Sequence, residues 1–138
     1  MRELAARCES ALMAQVQQSA YCNALHSVEA RFCRWLLQMH DRSTTPKLIL
    51  TQDLLAQSLG VRRTTITLIA GQLQQAGGIS WRRGCVQIER RDHLEQLACN
   101  CYRRIKTCID ALVSEPHDHM PTLQPLDADD YPIAQVPG

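Results

Sequence analysis

The sequence predicts a mainly α fold with a small β-hairpin, and three features predict it. Residues 1–45 contain neither glycine nor proline and carry apolar side chains at helical spacing, the pattern of amphipathic helices. Residues 52–76 read as two further helices joined by a turn centred on Gly60, a helix-turn-helix arrangement. Residues 79–88 alternate in two short runs around Gly84, as a tight hairpin does. The order of these elements makes the expected architecture a winged helix-turn-helix preceded by a dimerisation helix.

The first helix is expected over residues 3–19, where Leu4, Cys8, Ala11, Leu12 and Val16 form a narrow apolar stripe. A stripe that narrow suits a helix-pairing seam better than a globular core. The second is expected over residues 22–40, with Leu25, Val28, Phe32, Leu36 and Met39 on one wide face. Pro46 ends the helical run, and Leu48, Ile49 and Leu50 make a short strand candidate. Thr51 supplies an N-cap for the next helix, with Asp53 in its favourable first turn. Gly60 suits the left-handed end of that helix. A reading helix follows from about residue 62 to 76, stopped by Gly77 and Gly78. After the hairpin, Asp92 and Glu95 approximate a capping box for one last helix, whose apolar face runs from Leu94 to Leu112.

Charge is distributed very unevenly. Residues 1–113 hold all 15 Lys and Arg but only 9 acids, a net of +6, whereas residues 114–138 carry 5 acids, no base and 5 of the 6 prolines. That segment is expected to be a disordered acidic tail, leaving a dimerisation helix at 1–20 and a winged helix-turn-helix domain at 21–113. From residue 54 through 88 there is no carboxylate, and the pairs Arg62 with Arg63 and Arg82 with Arg83 lie inside that gap. Two cations at a helix start oppose the helix dipole. A phosphate there reverses the sign, because free N–H groups and guanidinium forks both point at negative oxygen. The economical partner is therefore a nucleic acid backbone.

Packing the two helices through Leu55, Leu59, Val61, Ile66 and Ile69 turns Arg62, Arg63, Thr64, Thr67 and Leu68 outward. Arginine reads guanine edges in a bidentate manner, and threonine or leucine contacts the thymine methyl. With Thr65, these residues are the expected base and backbone contacts. Arg82 and Arg83 at the hairpin tip, and Thr51 at a helix start, are expected to meet phosphate.

The run LTQDLLAQSLGVRRTTITLIAGQLQQAGGISWRRGCVQI resembles the carboxy-terminal winged helix of the Crp–Fnr family of bacterial transcription regulators. The preceding ALMAQVQQSAYCNALHSVEARFCRWLLQMHDR is similar to that family's dimerisation helix and the helix after it. The resemblance implies a homodimer that binds double-stranded DNA in the cytoplasm, with RNA polymerase as a further candidate partner. It also shows departures. The family's amino-terminal sensor roll has no counterpart, so no cyclic nucleotide is expected to bind this chain. Thr64 stands where members carry an acid after the recognition arginine, and Leu68 where they carry a second arginine, so the family's best-known operator is not implied. Gly78 occupies a place where an apolar side chain is common, which predicts a looser joint before the wing.

Other classes fare poorly. No apolar run approaches the roughly 18–20 residues of a membrane span. The seven cysteines include no CxxC, and reduced thiols are expected. Cys33, Cys85, Cys101 and Cys108 fall on apolar faces and read as small core residues. Cys99 with Cys101, or His117 with His119, lacks a matching second pair at structural-zinc spacing, so neither a metal nor any other cofactor is expected. No nucleophile–base pattern or phosphate-cradling loop is present, and the expected mechanism is recognition, not catalysis. The alternative function is an interaction subunit that pairs with a longer relative and alters its output.

Overall fold

The computed structural model describes residues 2–114, with side chains through residue 111. The segment expected to be an acidic tail lies outside the described residues from 115 onward, as do His117 and His119. Helices α1 (Arg2–Leu25) and α2 (Val28–Arg42) lead to strand β1 (Lys47–Ile49). Helices α3 (Gln52–Leu59) and α4 (Arg63–Gln75) follow, then strands β2 (Ile79–Arg82) and β3 (Cys85–Ile88), and finally helices α5 (Arg91–Leu97) and α6 (Cys101–Ser114). The strands form one three-stranded antiparallel sheet in the order β1-β3-β2. The hairpin therefore gains a third strand, with Lys47 opposite Gln87 and Ile49 opposite Cys85.

The core is one cluster centred on α2. Phe32, Leu36 and Leu37 are fully buried against Leu55, Ile66, Leu73, Val86 and Leu94. The ring of Phe32 lies 6.3 Å from that of Trp81, so α2 also carries the wing. A buried Arg31 donates through Nη2 to the carbonyl of Leu59, placing a cation on the negative end of α3. Across α2, α5 and α6, Arg91 Nη2 lies 2.7 Å from Asp41 Oδ1 and its Nε 2.8 Å from Glu95 Oε1, while the Tyr102 hydroxyl donates to Asp41 Oδ2 at 2.7 Å.

Several expectations need correction. The break between the first two helices falls at His26 and Ser27, because the Ser27 hydroxyl caps α2 by accepting from Ala30 N. Leu25 consequently ends α1 and is 58% exposed instead of joining the α2 face. The expected last helix is two helices, since Ala98 leaves helical geometry at ψ 145. The capping box does not form: Arg90 takes the N-cap position without a side-chain bond, Asp92 pairs with Arg90, and Glu95 pairs with Arg91. Gly78 makes the joint tight, not loose. Its Cβ position lies 2.9 Å from His93 Nδ1 and 3.2 Å from Leu94 Cδ1, and its carbonyl accepts from both Glu89 and Arg90.

The expected dimerisation stripe also divides. Leu4, Leu12 and Val16 are each 63% exposed and Cys8 is exposed. Ala11, by contrast, faces α6, sharing an apolar recess with Ala14, Ile105, Cys108 and Ile109. The reason is helical geometry: positions 4, 8, 12 and 16 follow one face, and residue 11 turns toward the face that also buries Gln18 and Cys22.

Candidate nucleic-acid interface

The turn of the helix-turn-helix is closed by a glycine cap. Gly60 ends α3 at φ 64, where its N–H bonds Gln57 O at 3.2 Å and the next N–H, of Val61, bonds Ala56 O at 3.0 Å. That pair of bonds is the Schellman ending, and any Cβ at Gly60 would be strained by the left-handed backbone. Ala56 is 5% exposed, buried on the side of α3 that packs into the core. At the start of α3, Thr51 Oγ1 accepts from Leu54 N at 3.2 Å and thereby serves as the expected cap.

α4 divides cleanly by solvent access. Ile66, Ile69, Ala70 and Leu73 are buried, whereas Arg62, Arg63, Thr64, Thr67 and Leu68 are exposed, Leu68 by 70%. Thr65 is half-buried. Arg62 holds the N-cap position without a side-chain cap bond, so the helix start carries two cations and no acid of its own.

Two contacts between α3 and α4 escaped the sequence reading. Arg63 Nη1 lies 3.4 Å from Asp53 Oδ2, and the Thr67 hydroxyl lies 2.8 Å from Gln52 Oε1 and 3.1 Å from Arg63 O. Gln52 and Asp53 belong to the first turn of α3, and only the crossing of the helices brings them beside α4. These contacts tie two outward side chains of α4 to the first turn of α3.

The wing is anchored at its base and charged at its tip. Gln74 Oε1, near the end of α4, accepts from Trp81 N at 3.0 Å. At the tip Arg82 pairs with Cys85, leaving Arg83 and Gly84 as a two-residue turn with φ 51 and φ 73. Positive φ at both central residues is the hairpin turn whose twist matches that of the strands. Arg83 is the one non-glycine residue with positive φ among the described residues, a conformation that disfavours most side chains by about 1 kcal/mol. Both Arg82 and Arg83 are exposed.

Residues 30–97 match the family described as the Crp-like helix-turn-helix domain. Among solved structures, the chain is similar to a transcriptional regulator of the CRP/FNR family from Thermus thermophilus, with a TM-score of 0.57 and 26% identity over 62% of this chain and 47% of that one. It is also similar to a crp/fnr-family transcriptional regulator from Eubacterium rectale, with a TM-score of 0.54 and 28% identity over 70% of this chain and 43% of that one. The chain thus spans less than half the length of either regulator. No curated protein matches it by sequence.

Proposed function

Residues 30–97 are a Crp-like helix-turn-helix domain, and from that premise we propose that the chain binds duplex DNA sequence-specifically and regulates transcription as a homodimer in the cytoplasm. The observation that carries this reading is the outward side of α4. It offers arginine, threonine and an exposed leucine, no acid, and a free helix start. In this reading α4 enters the major groove, where Arg63 and Thr64 in its first turn reach base edges and Thr67 and Leu68 contact the next pairs. Arg62 and the N-terminus of α4 face phosphate. Arg82 and Arg83 meet the backbone from the wing, and Thr51, already committed as a cap, adds a phosphate contact at the start of α3. Thr65 contributes less, because it is half-buried.

Dimerisation is assigned to the exposed side of α1, within residues 1–20. Leu4, Leu12, Met13 and Val16 stand 59–63% exposed there, more apolar surface than a solvated helix carries without reason. Two-fold pairing on that face would set two copies of α4 about 34 Å apart, one turn of DNA. The same face would serve a heterodimer with a longer relative. No helix among the described residues is long and apolar enough to cross a membrane.

Fluorescence anisotropy of labelled duplexes, titrated across a salt series, tests the reading. A body of net charge +6 with clustered arginines should release several condensed counterions, each adding about −0.9 to the slope of log K against log salt. A slope near zero on every duplex would refute it.

A further inference from the structure

Four side chains that the DNA-facing surface does not use converge where α1 ends and α6 begins. Cys22 and His26 are separated by one helical turn, so their ligand atoms leave the same side of the end of α1. His26 N–H still bonds Cys22 O at 3.0 Å. Cys99 lies in the turn after α5, and Cys101 is the first residue of α6. Cys22 Sγ is 3.4 Å from Cys99 Sγ, Cys101 Sγ is 3.4 Å from His26 Nδ1, and the four ligand atoms all lie within 4.8 Å of one another.

The two 3.4 Å separations come close to those around one ion of known size, and the 4.8 Å limit on the rest leaves at most about 1 Å for the ligands to close. Zinc–sulfur bonds of about 2.3 Å and zinc–nitrogen bonds of about 2.0–2.1 Å, in a tetrahedron, keep ligand atoms roughly 3.5–3.8 Å apart. A four-iron cluster would place a wide inorganic core between the sulfurs. A disulfide needs a sulfur separation of about 2.05 Å and would leave the other two ligands without a role. Three cysteines and one histidine are moreover a structural zinc set.

Two neighbouring side chains bear on the cluster. Gln18, which is buried, donates from Nε2 to Cys101 Sγ at 2.9 Å, the kind of outer contact that orients a ligand. Arg34 is 5% exposed and its Nε makes no hydrogen bond. A buried cation is costly without an anion. Three thiolates, a neutral imidazole and a divalent zinc ion carry a net −1 that offsets it.

We propose that Cys22, His26, Cys99 and Cys101 form a mononuclear structural zinc site that clamps α1 to the start of α6. On binding, three thiols release their protons to solvent, four coordinate bonds form, and no electron is transferred. The site joins segments 77 residues apart in sequence and so fixes the helix bearing the exposed apolar face onto the remainder of the molecule. It stands independently of the DNA-binding reading.

The test is metal analysis of the full chain, purified without a metal-binding tag after expression with added zinc. Elemental analysis should give about one zinc per chain, released when a thiol-specific mercurial is added. Cobalt exchanged into the site should show a thiolate charge-transfer band and the intense visible bands of a tetrahedral ion. Cys99→Ser and Cys101→Ser should lose most of the zinc, while Cys8→Ser, at an exposed thiol outside the cluster, and His26→Cys, which keeps four ligands, should retain it. If the serine variants fail to fold, the wild type decides: chelation should lower its melting temperature and zinc should restore it. Wild type that holds no zinc after equilibration with the ion, an iron–sulfur chromophore, weak octahedral cobalt bands, or equal zinc loss in Cys8→Ser would each overturn the proposal.

Discussion

Arg63 Nη1 stands 3.4 Å from Asp53 Oδ2, so an exposed ion pair joins the first turns of α3 and α4. Asp53 is the last acid before the carboxylate-free stretch of residues 54–88, and it engages the arginine proposed to reach a base edge. An exposed pair of this kind is worth at most about 1 kcal/mol, so it competes with DNA for Arg63 without trapping it. Asp53→Asn should strengthen DNA binding at low salt by up to about five-fold, the factor that such an energy can withhold. Anisotropy titrations of the two proteins on one duplex check this, and weaker binding by the variant would show that Asp53 positions the arginine.

Leu12 is 63% exposed on α1, so its replacement leaves the folded core intact. Leu12→Arg should convert a micromolar dimer to a folded monomer, with a melting temperature lowered only by the loss of the stabilisation that dimerisation adds. Sedimentation velocity reads the outcome directly. A wild-type chain already monomeric at that concentration would remove the two-fold pairing.

Asp41 links α2 to α5 and α6 through Arg91 and Tyr102. Burial works against its ionisation, yet hydrogen bonds from Tyr102 and Arg91, aided by the charge of Arg91, hold the carboxyl below its ordinary value. With a depressed folded pKa, the stabilisation is complete above the unfolded value of about 3.9 and is lost as pH falls through the lower folded value. Asp41→Asn should therefore cost about 1–3 kcal/mol at neutral pH and flatten the acid limb of the stability curve. Denaturant melts between pH 2 and 7 would check both effects. An acid limb as steep as that of the wild type would assign it to other carboxylates.

The helix-turn-helix was legible in the sequence because its determinants are local. Gly60 specifies the turn, Thr51 the cap, and Leu55, Ile66 and Ile69 the packed face. The wing was legible for the same reason, from Arg83 and Gly84 between alternating runs. What escaped depends on tertiary contact. Residues 3–40 favour helix throughout, and the break after Leu25 is set by the Ser27 cap, which neither glycine nor proline marks. The break after Leu97 is equally unmarked. Gln52 and Asp53 gave no sign that they would meet Thr67 and Arg63. Cys99 and Cys101 lacked a visible second pair because Cys22 and His26 lie far away in the chain. Their spacing of one helical turn was the available signal.

The most direct test of the account separates the two arginine sites by the kind of loss each should show. Arg63, in the first turn of α4, should specify a base, and its removal should cost about 1–3 kcal/mol. Arg83, at the wing tip, should meet phosphate, which carries no direct sequence information. Asparagine is the apt replacement there, because it accepts the positive φ that Arg83 adopts. Duplexes selected from a random pool with wild type, Arg63→Ala and Arg83→Asn are the measurement. Arg63→Ala should relax preference at one base pair per half-site. Arg83→Asn should bind uniformly more weakly, with wild-type preferences and a salt slope reduced by about one unit per subunit. Unchanged base preference in Arg63→Ala together with altered preference in Arg83→Asn would contradict the assignment of reading helix and wing.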